Sequence, residues 1–246
     1  MFNGLYSAVN KIIDRKTRSV CAVIVAAGAS SRMKGIDKIF AILDDRPVIS
    51  YSIAAFQEST LIKEIVIVCA KENISKMQEL CKEYNYTKVK ACVSGGATRA
   101  ESSNIGVTAA GRKHDIFVIH DGARPFITQS MIKASILAAE KYGAATVAIP
   151  ATSTIKKVKD GFVTETPDRS ELYEIQTPQS FKYAIIKAGL KNVFDKGIEI
   201  TDDCMAVESI GVKPKIVEGS RNNIKITVQD DLVIANSILE NRSNLQ

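Results

Sequence analysis

The sequence predicts an α/β fold in which helices flank a mostly parallel sheet and a β-hairpin arm projects from it. Three observations carry this. Apolar strand-like segments recur at 20–26, 64–70, 88–93, 116–120 and 144–149. Helical patterns beginning near Pro47, Lys71, Arg99 and Ser130 separate them, the alternation of a parallel sheet with crossover helices on both faces. Between residues 151 and 169 that alternation stops, and β-branched residues flank Lys159-Asp160-Gly161, which reads as a hairpin with an Asp-Gly turn.

Residues 1–19 interleave charges and Asn/Asp with apolar residues, so they read as an N-terminal extension with one amphipathic helix over 5–14 rather than a signal peptide. The run 20–26 is continuously apolar and rich in β-branched residues, as a central strand covered on both faces must be. Pro47 is preset for the first turn of a helix. Thr98-Arg99-Ala100-Glu101 has capping-box spacing. So does Thr227-Val228-Gln229-Asp230, ahead of a last helix with Leu232, Ala235 and Leu239 on one face. The arm has Thr152, Thr154, Ile155 and Val158 before its turn and Phe162, Val163, Thr164 and Thr166 after it. Those are too few apolar residues for a core, so the arm is expected to lean on a second subunit. Residues 20–242 are expected to form one domain, which a chain of 246 residues can fill with a substantial core.

The net charge of +6, from 33 basic and 27 acidic residues, suits an anionic small-molecule partner. The basic residues are scattered and Trp is absent, which argues against nucleic acid. No apolar run approaches a membrane span. The five cysteines, Cys21, Cys69, Cys81, Cys92 and Cys204, are odd in number and lack Cys-x-x-Cys spacing. They read as buried thiols of a reducing compartment, hence a cytoplasmic protein, and neither as a disulfide framework nor as a zinc site.

Three loops carry chemistry. After the first strand, Ala26, Ala27 and Gly28 leave no side-chain bulk, so main-chain N–H groups can approach a base or phosphate; Arg32 and Lys38 follow. This is no Walker A loop, because Met33 stands five residues after Gly28, and no dinucleotide fingerprint, because Ser30 takes the second glycine's place. The second loop, residues 94–99, pairs Gly95 and Gly96 ahead of a capped helix whose first turn offers Arg99 and Ser102 to an anion or base. The third ends the strand 116–120 with Asp121, placed to hold a hard cation such as Mg²⁺ against phosphate oxygens, with Arg124 as an anion contact. His120 has apolar neighbours and reads as a structural imidazole, and His114 is expected at the surface. Each loop alone also suits an ordinary strand-to-helix turn. Two Gly-containing loops at one sheet edge, where ligands of such sheets bind, favour a nucleotide.

The motifs in order are Ala26-Ala27-Gly28 with Arg32-Met33 and Lys38; Gly95-Gly96 with Arg99 and Ser102; His120-Asp121-Gly122-Ala123-Arg124-Pro125; Asp168-Arg169 with Thr177-Pro178-Gln179; Thr201-Asp202-Asp203; and Asn223-Ile224-Lys225-Ile226-Thr227. In order and rough spacing this set resembles the 2-C-methyl-D-erythritol 4-phosphate cytidylyltransferases over about residues 20–241. The resemblance implies a Rossmann-like nucleotidyltransferase sheet and a CTP-dependent transfer to methylerythritol phosphate, serving the non-mevalonate isoprenoid route and releasing pyrophosphate. It implies that Ala26, Ala27, Gly28, Gly95, Gly96, Arg99 and Ser102 hold the nucleotide. Arg32, Lys38 and Lys225 would face its triphosphate, and Asp121 would anchor Mg²⁺. Arg124, Thr154, Arg169 and Thr177 would grip the acceptor, with Thr154 and Arg169 delivered by the arm of the second subunit in a homodimer; Arg32, Lys38, Arg169 and Lys225 form the catalytic set. Ile39, Ala97 and Asn222 depart from the family pattern. The rivals are a ribitol-5-phosphate cytidylyltransferase, which Ala26-Ala27-Gly28 opposes because those enzymes tend to carry Ala-Gly-Gly, and a catalytically silent nucleotide-binding module.

The residue set agrees with that chemistry. A phosphate monoester is already ionised near neutral pH, so it attacks phosphorus without a general base. The protein must then position two anions and neutralise charge, which calls for Lys, Arg and a carboxylate.

Overall fold

The computed structural model describes residues 18–28 and 37–243, so the helix expected at 5–14 and the catalytic candidate Arg32 lie outside the described residues. The chain runs through β1 (Val20–Ala26), a small hairpin of β2 (Ile42–Leu43) and β3 (Arg46–Pro47), then α1 (Val48–Glu58) and β4 (Glu64–Cys69). It continues with α2 (Ile74–Glu83), β5 (Val89–Ser94), α3 (Arg99–Ala110), β6 (Ile116–Asp121), α4 (Gln129–Tyr142) and β7 (Ala144–Pro150). The arm follows as β8 (Lys157–Lys159) and β9 (Phe162–Glu165). Then come β10 (Tyr173–Lys182), α5 (Tyr183–Lys196), α6 (Asp203–Glu208), β11 (Lys215–Glu218) and α7 (Asp230–Ser243).

Seven strands form the central sheet in the order β11-β7-β10-β6-β1-β4-β5. All pairings are parallel except those of β10, which runs antiparallel to both β6 and β7. The sequence reading did not anticipate β10. Its segment YEIQTPQSFK is polar and contains Pro178, which has no N–H for a ladder. The register with β7 breaks between Ile175 and Gln179, around that proline.

Side chains from α1, α2 and α4 (Ile53, Phe56, Met77, Leu80, Ile132, Ile136) pack on one face with Ile24, Ile67 and Val118. Those from α3, α5 and α6 (Val107, Leu190, Val193, Val207) pack on the other with Val23, Val66 and Ile119. A Cβ added to Gly106 would lie 2.3 Å from Val23 Cγ1, so glycine lets α3 press onto β1 and brings the helix N-terminus to the carboxyl end of that strand. The last helix seats Leu232, Ala235 and Leu239 against Ala41, Leu43 and Phe126, the face expected from its sequence.

Local signals hold with small displacements. Thr98 and Glu101 form the reciprocal capping box. Pro47 caps α1 from just outside its first turn. At the last helix the reciprocating acid is Asp231 rather than Asp230: its Oδ2 accepts from Thr227 N at 2.7 Å and Val228 N at 2.9 Å. The arm turns on Asp160 (φ 52°) and Gly161 (φ 83°), both left-handed as a tight Asp-Gly hairpin needs.

Two expectations fail. His114 is buried, with Nδ1 2.7 Å from Ser19 Oγ and Nε2 3.4 Å from Glu64, so it ties together the chain entering β1, β4 and β6. Cys81 and Cys92 are only half-buried, whereas Cys21, Cys69 and Cys204 are buried as thiols of the core; all five are free.

Candidate active site

The carboxyl ends of β1 and β6 lie side by side, with Val25 opposite Asp121, and the loop after β5 leads into α3 beside them. A cavity of about 490 Å³ opens there. Its walls are Ala26, Ala27 and Gly28 on one side and Gly96, Arg99 and Ser102 on the other, with Lys38, Asp121 and Lys225 between them. Gly95 stands behind this wall, where an added Cβ would come within 2.3 Å of Ala27 Cβ; the two loops touch only because neither carries bulk. The first turn of α3 shapes the second loop. Ser102 Oγ accepts from Gly96 N at 3.2 Å, and Glu101 Oε2 accepts from Ala97 N at 2.6 Å. Ile39, buried in the core, and Ala97, whose backbone N–H donates to Glu101, both line the cavity as well.

Asp121 is the electrostatic centre. Oδ1 accepts from Arg99 Nη1 at 2.5 Å, while Oδ2 faces Lys225 Nζ at 2.9 Å and Arg124 Nε at 3.4 Å. Burial alone would push this carboxyl up; Arg99, Lys225 and Arg124 outweigh it and hold the group well below the usual carboxylate range. Arg99 lines the cavity, as its expected nucleotide contact requires, and is also held by a second carboxylate. Its Nε and Nη2 donate to Asp203 Oδ2 at 3.0 and 2.6 Å, so the guanidinium is locked between two carboxylates and braces the cavity wall. Asp203 is fully buried, and the residues holding it escaped the sequence reading although their motifs were visible. Gln179 Oε1 accepts from Asp203 N at 3.0 Å, and Gln179 Nε2 donates to Asp202 Oδ2 at 2.8 Å. An adjacent acid pair opening a short helix is the signal that could have found them.

A second hollow of about 410 Å³ shares Arg99, Asp121, Thr201 and Lys225 with the first and extends past Arg124, Gln176 and Thr177. The Arg124 guanidinium donates to Asn223 O at 2.8 Å. The Thr177 hydroxyl, expected to contact an acceptor, lines this hollow, accepts from Asp121 N at 3.0 Å and lies 2.9 Å from His120 Nδ1. Since His120 Nε2 faces the Arg124 carbonyl at 3.2 Å and must donate to it, Nδ1 accepts the Thr177 proton. Burial pushes His120 down to about 4 against the opposing pull of Asp121, so the imidazole is neutral and fully engaged. It positions Asp121 through Thr177 and is no general base.

Thr154 and Arg169 join neither hollow. Both are exposed, and Arg169 Nη1 donates to Thr152 O at 3.2 Å. The described residues thus bring together two polar hollows meeting at one charge cluster, and leave the arm's candidates outside.

Residues 20–241 match the family model for 2-C-methyl-D-erythritol 4-phosphate cytidylyltransferase. The chain is 45% identical over 227 residues to the protein of that name from Clostridium acetobutylicum, covering 91% of this chain and 98% of that one. It is 43% identical over 224 residues to its counterpart from Clostridium novyi, covering 90% and 96%. Among solved structures, 4-diphosphocytidyl-2C-methyl-D-erythritol synthase from Anaerococcus prevotii aligns with a TM-score of 0.82 at 29% identity, covering 91% of this chain and 97% of that one. With this match spanning the sheet, both loops and the charge cluster, the chain belongs to the 2-C-methyl-D-erythritol 4-phosphate cytidylyltransferase family.

Proposed function

We propose that this chain transfers the cytidylyl group of CTP to 2-C-methyl-D-erythritol 4-phosphate, giving CDP-methylerythritol and pyrophosphate. The observation that carries the reading is the meeting of two polar hollows at Arg99, Asp121 and Lys225. The hollow walled by bare backbone suits the cytidine and triphosphate. The hollow bordered by Arg124 suits a second phosphate. The acceptor's ionised phosphate oxygen attacks the α-phosphorus as the bond to the departing pyrophosphate breaks, and no proton has to be removed first. Lys38 and Lys225 stabilise the charge that develops there, and Arg32 is assigned with them on the family resemblance.

Mg²⁺ fits Asp121. This cation takes one or two carboxylates and completes its sphere with phosphate oxygens and water, and among the described residues no group of three His, Cys, Asp or Glu could hold a metal unaided. When bound it neutralises triphosphate charge. The most exposed of the three cations on Asp121 is Lys225, its side chain 38% exposed against 18% for Arg99 and 12% for Arg124. Its passage from Oδ2 to the phosphates would free that oxygen for the metal.

The remaining assignments belong to a homodimer. Val158, Phe162 and Val163 are 60%, 77% and 60% exposed on the arm, with Val158 paired to Val163 across the hairpin and none of the three covered by the described residues. We assign these side chains to a second copy, whose hollow at Arg124 then receives Thr154 and Arg169. On this reading residues 20–242 are one catalytic domain and 151–169 its dimerisation arm. Free cysteines suit the reducing cytoplasm. No helix among the described residues is long and apolar enough to cross a membrane.

The test is pyrophosphate release from a panel of nucleotides and acceptors. Turnover is expected only with CTP, Mg²⁺ and methylerythritol phosphate together. Equal turnover with ribitol 5-phosphate would overturn the acceptor, and silence with every pair would leave a nucleotide-binding module.

A further inference from the structure

Asp203 opens α6 behind Arg99 and lines neither hollow. Its side chain is fully buried, and a buried carboxylate is costly unless a partner answers it. Oδ2 is answered twice, by Arg99 Nε at 3.0 Å and by Nη2 at 2.6 Å. Oδ1 is equally buried and has no hydrogen-bond partner among the described residues, so holding Arg99 accounts for every hydrogen bond this carboxylate makes there. The backbone around it is pinned. Gln179 Oε1 accepts from Asp203 N at 3.0 Å and Cys204 N at 3.2 Å, and Asp202 Oδ1 accepts from Met205 N at 3.0 Å, which ties the first turn of α6 to β10.

The consequence lies at Asp121. An arginine left to itself meets a carboxylate as a fork, with two parallel N–H bonds, one to each oxygen. Arg99 meets Asp121 through Nη1 alone, on Oδ1, because its Nε and Nη2 are turned to Asp203. Oδ2 stays with Lys225 Nζ at 2.9 Å, while Arg124 Nε stands off at 3.4 Å and its Nη1 donates to Asn223 O.

We propose that Asp203 is a positioning residue for the divalent cation: it holds Arg99 to a single contact and so keeps Asp121 Oδ2 open for Mg²⁺ once Lys225 moves to the phosphates. The inference rests on the reading of Asp121 as the metal carboxylate. With Asp203 neutral, Arg99 Nη2 turns to Oδ2 and closes Asp121 as a fork. Charge acts in the same direction. Two carboxylates, Asp121 and Asp203, answer Arg99, Arg124 and Lys225. With one of them neutral, a dication meets a more positive site, whereas a metal-free nucleotide, an anion, meets a more attractive one.

The experiment measures CTP binding by isothermal titration calorimetry, with Mg²⁺ and with EDTA in its place, and without an acceptor so that nothing turns over. The ratio of the two Kd values is the enhancement the cation gives. Asp203→Asn keeps the side-chain volume and leaves Arg99 a neutral acceptor. There the enhancement is expected to fall roughly tenfold, the scale of trading a charged hydrogen-bond partner for a neutral one. CTP binding in EDTA is expected to hold or tighten. Equal weakening of both measurements would mark a merely structural part for Asp203 and overturn the proposal. Arg99→Gln added to Asp203→Asn removes the fork along with its holder, and the enhancement is expected to return. That double variant leaves no unpaired charge in the pair, so it carries the test if Asp203→Asn alone fails to fold; no return there overturns the proposal. Asp121→Asn is expected to lose the enhancement. If it keeps it, the metal reading falls and the proposal with it. If Asp121→Asn loses the enhancement while Asp203→Asn keeps it, the proposal is overturned and the metal reading stands.

Discussion

The wall around Asp121 and the arm around Phe162 are built on opposite terms. At Asp121 the carboxylate is buried and answered by Arg99, Arg124 and Lys225, and Arg99 is answered in turn by Asp203. At the arm, Phe162 stands 77% exposed, and Arg169 reaches no further than a backbone carbonyl beside its own turn. One region closes its contacts within a single chain; the other leaves apolar side chains exposed among the described residues. A charge cluster of the first kind is prepared before substrate arrives, since its dipoles and cations need little reorganisation when charge develops. On the homodimer proposed above, an arm of the second kind gains its order from a partner.

The largest effect should come from the cavity side. Lys38→Ala and Lys225→Ala are each expected to lower kcat by roughly two orders of magnitude or more, with a smaller change in the KM for CTP, because stabilisation of developing charge acts mainly in the transition state. Steady-state kinetics check this, and an unchanged kcat for Lys38→Ala would make that lysine an ordinary surface charge. Acid provides a smaller and subtler separation of the two regions. The folded protein holds His120 down at about 4, whereas an unfolded chain protonates it near 6.5, so between those values the unfolded state binds more protons. The stability tied to this residue is therefore complete above pH 6.5 and lost as the pH falls toward 4, on the order of 3 kcal/mol for a depression of that size. Denaturant melts across that range should show the slope in the unsubstituted protein. They should show it flattened in His120→Gln, and left unaltered by Phe162→Ser on the arm.

What could be read from the chain before its structure follows the same division between local and distant. The strand at 20–26, the Asp160-Gly161 turn and the Thr98 capping box are written in adjacent residues, and each appears where expected. The strand β10 was hidden because its apolar pattern is interrupted by Gln176, Pro178 and Gln179, whose roles are a register break and side-chain brackets for neighbouring loops. The clamp on Arg99 was hidden for a different reason: Asp203 lies 104 positions away in the chain and meets it only after the sheet has formed. Burial of His114 and commitment of the Thr177 hydroxyl are likewise tertiary facts. The loops Ala26-Ala27-Gly28 and Gly95-Gly96 were legible because small residues are required wherever two backbones approach one ligand.

The central claim is that each working site joins the cavity of one chain to the arm of another, and subunit exchange tests it most directly. Lys38→Ala and Arg169→Ala proteins should each be nearly inactive alone. Mixed under conditions that exchange subunits, half of the dimers carry one chain of each kind. If Lys38 and Arg169 of a working site come from different chains, every mixed dimer keeps one intact site, and activity should return to roughly a quarter of the unsubstituted level by this symmetry counting. If both residues come from one chain, every site in the mixture carries a lesion. No recovery, with exchange verified by native mass spectrometry, would contradict the shared site.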